Sequence, residues 1–252
     1  MEQVSSMSGP QPAGPQAPTT SLAGRLLNVF AAPGEVFDEI KVTAPSVANW
    51  LVPVLIYAVV GVISVCIVFA QPAIQQTMHE AQVKAVDQQV QQGKMTQAQA
   101  DQALQLMVVI VSIGRVLRTF ISVFGWALVL WLAGRWLFKT RFDYLKALEV
   151  AGLSSLIIAL GMVVGTLLAV IFGRPYVGPS LALLVDDFDP MKRGHLLLGA
   201  ANIIYFWHAG VLATGLAKLS GGPMTKAFAV VFGFWVLIEI LLIAIGLGQW
   251  AL

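Results

Sequence analysis

WLVPVLIYAVVGVISVCIVFA, residues Trp50 to Ala70, runs for 21 residues without a charged side chain. About 20 apolar residues are what an α-helix needs to cross the hydrocarbon core of a bilayer. Pro53 stands in the opening turn of this segment and Pro72 stops it, so the stretch reads as a membrane-spanning helix with defined ends. Four further apolar blocks follow, at about residues 107–138, 148–173, 196–217 and 227–250. The first of these contains Arg115 and Arg118 and is too long for one crossing, which leaves its membrane frame open. The last carries a single charge, Glu239. The expected fold is therefore all-α, a polytopic bundle of five transmembrane helices, with a five-helix membrane domain over residues 50–252.

Composition leads to the same place. Hydrophobic residues make up 58% of the 252 and charged residues 11%, against roughly 45–50% and about 25% in an average soluble domain. Mean hydropathy is +0.80. A net charge of +2, with basic residues scattered between apolar blocks, argues against a nucleic-acid partner. Cys66 is the only cysteine, so the chain forms no internal disulfide and no cysteine metal cluster. Residues 1–20 are rich in Ser, Pro, Gln and Gly and lack an apolar core; they read as a disordered tail rather than a cleavable signal.

Orientation follows from the basic residues, which collect on the cytoplasmic side. With the N-terminus inside, that side holds eight: Arg25, Lys41, Arg135, Lys139, Arg141, Lys146, Lys218 and Lys226. The other side holds five: Lys84, Lys94, Arg174, Lys192 and Arg193. Four of the eight lie in the short loop from Arg135 to Lys146, where the rule is strongest, and give N-in, C-out. Between the first two spans, residues 71–106 are Gln-rich, with Ile74, Met78, Ala81 and Ala85 at helical spacing and Gly93 as an interruption. Thr96 and Gln99 form a capping-box pattern that starts a helix leading into span two, so the segment reads as an extracytoplasmic helical hairpin. Residues 21–49 place Leu22, Leu26, Leu27 and Phe30 on one face. This segment is either an amphipathic helix in the cytoplasmic interface or a helix packed on the ends of the bundle.

Several short patterns resemble the Yip membrane domain, named for Ypt/Rab-interacting proteins, and in particular its bacterial branch. They are Val29-Phe30-x-x-Pro33-x-x-x-Phe37-x-x-Ile40 followed by Trp50-x-x-Pro53, then Tyr144-Leu-Lys-Ala-Leu148, Tyr205-Phe206-Trp207, Gly215, and Lys226-Ala227. The resemblance covers roughly Leu22 to Gly246. It implies five helices, a cytoplasmic N-terminus, and a role in membrane organisation or trafficking. The Asp-Leu-Tyr-Gly-Pro signature of the eukaryotic members is absent, so the likeness is to members without a known small-GTPase partner.

The candidate site is a cluster of polar groups inside the membrane. A charge near the middle of a span costs on the order of 2.5–3.5 kcal/mol on insertion scales, so Glu239 needs a partner, a proton or water. His208, near the middle of span four, lies at a similar depth. Arg118 and Arg115 compete for the same carboxyl in one frame of span two and sit at the outer interface in the other. Asn202 and Tyr205, one to two turns from His208, can add hydrogen bonds. Such a cluster either locks helix packing or lines a proton or polar-substrate pathway. Gly161 and Gly165 form a small-xxx-small pattern suited to close helix packing or to a dimer face.

Asp186, Asp187 and Asp189 lack the Gly and distant Glu of a calcium loop, have Lys192 and Arg193 at hand, and read as a solvated loop. His79, His195 and His208 are far apart, so no zinc site is argued. The sequence carries no nucleotide loop, nucleophile elbow or paired-carboxylate motif. Expected from this reading is a non-catalytic membrane protein without cofactor or metal. Its partners are the lipid bilayer, other membrane proteins or a second copy. The alternative is a small proton-coupled transporter or channel using Glu239 and His208.

Overall fold

The computed structural model describes residues 17–76, 96–175, 177–186, 188–189 and 192–246. Most of the 71–106 segment read as a hairpin, and most of the N-terminal tail, lie outside the described residues. Within them the chain is helical: α1 (Leu22–Ala31), α2 (Pro33–Val42), α3 (Val47–Phe69), α4 (Gln97–Trp136), α5 (Tyr144–Phe172), α6 (Arg193–Ala200), α7 (Ile203–Ser220) and α8 (Met224–Ala244), with a 3₁₀ turn at Leu181–Leu184.

Local chemistry sets most of these ends. Thr96 and Gln99 form the reciprocal capping box expected, with each backbone N–H donating to the other's side chain, so α4 starts at Gln97 and runs 40 residues without a break. Asp143 caps α5, and Gly173 ends it in a left-handed conformation at φ 63°. Gly221 ends α7 in the same way at φ 67°. Span one begins earlier than its charge-free stretch, at Val47, which puts Pro53 in the second turn instead of the first.

Span four differs more. Its apolar block was expected as one helix over 196–217, but the chain breaks at Ala201 and Asn202 into α6 and α7. Asn202 is the reason, since its Oδ1 accepts a 2.9 Å bond from the Ile204 N–H and so caps a new helix inside an apolar run. An isolated antiparallel bridge from Ser180 to Asn202 holds the break.

α3, α4, α5 and α8 are long and apolar enough to cross a membrane. Their outward faces carry aliphatic stripes, such as Leu55, Val59 and Ile63 on α3 and Ile110, Ile113, Leu117 and Ile121 on α4, all exposed in the isolated chain. Such a surface is favourable against lipid or against another apolar helix. The core joins Val54, Val123, Ala127, Leu130, Val150, Leu153, Ile157, Leu212 and Leu216. α7 is the most enclosed helix, packing on α2, α4, α5 and α8. α2 buries Val36, Phe37 and Ile40 and α1 buries Val29 against this core while Leu27 of α1 stays exposed, so the segment before span one packs on the bundle through both helices.

Candidate functional site: two polar clusters in the bundle

One cluster closes the end of the bundle at which α3 and α5 begin. Glu149 is fully buried in the second turn of α5. Its Oε1 accepts from Asn49 Nδ2 at 2.6 Å and from the Ser46 N–H at 2.9 Å, and its Oε2 lies 2.9 Å from Lys146 Nζ. Arg25 of α1 donates to Asn49 Oδ1 at 2.7 Å and pairs with Glu39 of α2 at 3.4 Å. Glu39 in turn accepts from the backbone N–H groups of Thr19 and Thr20. Burial pushes the Glu39 carboxyl up, but the Thr20 and Thr19 N–H groups and Arg25 outweigh it and hold the carboxyl below its ordinary value. Two cations and two anions balance, so the cluster is a neutral knot that fixes α1 and α2 to the bundle. Sequence reading passed over it. The residues looked like ordinary charges flanking two spans, and Asn49 and Glu149 are 100 residues apart.

Gly152 makes the knot possible. A Cβ there would fall 2.5 Å from the Trp50 Cα, so the α3 and α5 backbones touch at the residue after Asn49 and about one turn beyond Glu149. Gly215 plays the same part where α7 meets Val150. On the same end, Lys218 pairs with Asp38 and Lys226 donates to the Leu137 carbonyl.

The second cluster lies toward the other end and contains most of the residues expected from sequence. Tyr205 of α7 is its hub, within electrostatic reach of Arg115 and Arg118 of α4, Tyr57 of α3 and Glu239 of α8. Arg118 and Trp235, one turn back on α8, act on the Glu239 carboxyl, and its Oε2 has no hydrogen-bond partner among the described residues. His208 is buried, with its ring edge-on to Trp126 at 6.1 Å, and is not among the groups acting on Glu239. Asn202 is likewise spent on its helix cap. Arg115 packs its chain over Gly61, the Cβ position there being 3.0 Å from Arg115 Cγ.

The two glycines of the small-residue pattern separate. Gly161 faces α7, where a Cβ would meet Ile204 at 2.5 Å, whereas at Gly165 the nearest atom is the Val177 carbonyl at 3.6 Å. In the loop after α5, Arg174 donates to the Val185 and Asp186 carbonyls, and His195 Nδ1 accepts from the Asp189 N–H. His79 and Asp187 lie outside the described residues. Among those described, no group of three or more His, Cys, Asp or Glu could hold a metal ion.

A family model described as the Yip1 domain matches residues 27–245. The chain belongs to the Yip1 domain family. No curated protein and no solved structure matches it. The Yip1 match begins two residues after Arg25 and takes in Glu39, Asn49, Lys146 and Glu149, together with the whole second cluster. With four membrane-length apolar helices inside the Yip1 domain, the chain is an integral membrane protein in contact with lipid.

Proposed function

We propose that this Yip1-domain protein is a member of the bacterial branch that works without catalysis in the cytoplasmic membrane. It acts in membrane organisation or trafficking through helix contacts with lipid and with other membrane proteins. It crosses five times, N-terminus inside and C-terminus outside, with the 71–106 hairpin outside. α7 supplies the fifth crossing; its 18 residues reach about 27 Å at about 1.5 Å each. Enclosure by four helices supports this reading, because a central helix needs less hydropathy than one facing lipid. Contacts at the two ends support it too: Lys218 with Asp38 at one, and Arg193 with the Ala244 carbonyl at the other. Residues 1–20, 21–49 and 50–252 then act as tail, cytoplasmic helical arm and membrane domain.

The observation that carries the non-catalytic reading is the character of the surface hollows. One is lined by Val62, Ser112, Ile113, Val116 and Leu117, another by Val52, Leu55, Ile56, Val59 and Val60. These are open apolar grooves suited to acyl chains or to another helix, without the polar lining a solute path needs. Capture of the intact protein in mild detergent, followed by mass spectrometry, tests the reading: specific membrane proteins or lipids co-purify. The second reading, proton-coupled transport, is favoured by the Glu239 Oε2, which has no hydrogen-bond partner among the described residues. Proton flux into proteoliposomes that Glu239→Gln abolishes would replace the first reading with the second.

A further inference from the structure

The knot end of the bundle carries more cations than the chain's own acids can balance. The side proposed as cytoplasmic holds eight basic residues against six acids: Glu2 in the tail, Glu35, Asp38, Glu39, Asp143 and Glu149. The knot takes two of each sign, and Lys218 pairs with Asp38. Five bases remain, Lys41, Arg135, Lys139, Arg141 and Lys226, against three acids. Of these acids, Asp143 already accepts the Leu145 N–H as the cap of α5, and Glu35 lies six residues from Lys41, toward the other end of α2. The surplus of two cations counts every acid on that side, the tail included.

Three elements bring the surplus round one turn. Gly221 ends α7, and Lys41 at the end of α2 holds its Nζ 3.7 Å from where a Gly221 Cβ would stand. The next residue, Gly222, is covered by the Phe138 ring, which a Cβ there would overlap. Lys226, in the first turn of α8, stands 4.7 Å over that ring and donates to the Leu137 carbonyl. Lys41 and Lys226 therefore flank a turn of two glycines that puts no side chain between them. Lys139 and Arg141, both exposed, follow Phe138 in the adjoining loop. Like charges gathered in this way repel, and an anion from outside the chain relieves the repulsion.

Helix contacts set the level of the turn. Gly152 of α5 touches Trp50, the start of the charge-free span, and Val150 touches Gly215 of α7. With Trp50 at the hydrocarbon boundary, Gly215 lies two residues, about 3 Å, outside it, and Gly221 six residues, about 9 Å, further. A bilayer of about 40–45 Å around a core of about 30 Å has about 5–8 Å of headgroup on each face. The turn thus sits just past that layer, and long lysine side chains reach back into it. Trp136 and Leu137, 68% and 49% exposed, place apolar surface next to the cations, the pairing found at a membrane interface.

We propose that the Gly221–Gly222 turn is a binding site for an anionic phospholipid headgroup. The phosphate is held between the ammonium groups of Lys41 and Lys226, and the loop with Lys139 and Arg141 supplies the surrounding positive field. The inference deepens the functional reading above and rests on it for the placement of these helices in a bilayer.

The test uses the full chain purified in non-ionic detergent, with thermal unfolding and native mass spectrometry as readouts. Phosphatidylglycerol should raise Tm with increasing concentration and stay bound, while phosphatidylcholine of the same chain length and free glycerol phosphate should do neither. Lys41→Gln with Lys226→Gln should weaken retention of phosphatidylglycerol by about thirtyfold, the contribution typical of two lysines beside an anionic membrane surface. Lys41→Gln alone should weaken it by about fivefold, and keeps the test intact if the double variant fails to fold, because Lys41 has no hydrogen bond or ion pair among the described residues. Lys192→Gln removes the same charge at the opposite end and should leave retention unchanged. Equal shifts from the two lipids, a shift from glycerol phosphate alone, full retention by Lys41→Gln, or an equal loss in Lys192→Gln would overturn the proposal. A chain that needed no detergent to stay dispersed would instead sink the membrane reading beneath it.

Discussion

Replacing Gly152 with alanine is the smallest change that should disturb both the packing of the bundle and its inner polar knot. The new methyl would lie 2.5 Å from Trp50 Cα, 2.7 Å from its Cβ and 2.9 Å from its carbonyl oxygen, where ordinary contact starts at 3.4 Å. Two of these three atoms are backbone, so no rotamer change relieves the clash; α3 and α5 must separate by nearly an ångström. Such separation would stretch the 2.6 Å Asn49 to Glu149 bond to the edge of hydrogen-bonding range. Overpacking costs about 1–3 kcal/mol, and a weakened bond to a buried carboxylate adds about 1.5–3 kcal/mol. The better helix propensity of alanine returns about 1 kcal/mol. The net loss of roughly 1.5–5 kcal/mol corresponds to a Tm lower by roughly 3–20 °C for a chain of this size. Thermal unfolding in detergent measures it. Gly125→Ala, with open space around the new methyl, is the control and should leave Tm unchanged or slightly higher. If Gly152→Ala behaves like Gly125→Ala, then α3 and α5 do not touch there and the geometry argued for the knot is wrong.

Glu149→Leu should destabilise the chain by about 3–5 kcal/mol, because it strands Lys146 and Asn49 in a buried site, whereas Glu149→Gln keeps an acceptor and should cost less. The order of the two in urea titration checks it. Limited proteolysis should cut before α3 faster in both variants than in the parent. A Glu39 carboxyl held below its ordinary value binds its proton more readily once the arm is detached. Its contribution is therefore present above about 4.5, the ordinary value, and lost as pH falls below it. Arm protection against protease should drop in that window, and Glu39→Gln should remove the pH dependence. Gly161→Leu should lower Tm through its clash with Ile204, and Gly165→Leu should lower it less, having only the Val177 carbonyl near.

What the sequence made legible was what local chemistry or bulk hydropathy controls. The span from Trp50 to Ala70, the capping box at Thr96 and Gln99, and the basic loop before Tyr144 were all readable, since each acts over a few residues or one bilayer thickness. The break at Asn202 escaped because a single capping side chain outweighed 22 residues of apolar signal around it. The neighbour of Glu239 escaped for another reason. Whether Arg118 or His208 shares its level depends on the frame of α4, and that frame is set by packing on α3 and α5 rather than by the helix's own ends. The knot was hidden because its members are individually unremarkable and meet only when α3 and α5 touch at Gly152.

The account stands on five crossings that leave the knot end of the bundle in the cytoplasm, and accessibility labelling tests this most directly. In a Cys66→Ala background, Thr140→Cys marks the knot end, and Leu184→Cys, at a site 81% exposed, marks the other. An impermeant maleimide applied to intact cells should label position 184 and reach position 140 only after lysis. Labelling of position 140 from outside, or of both positions before lysis, would contradict the account.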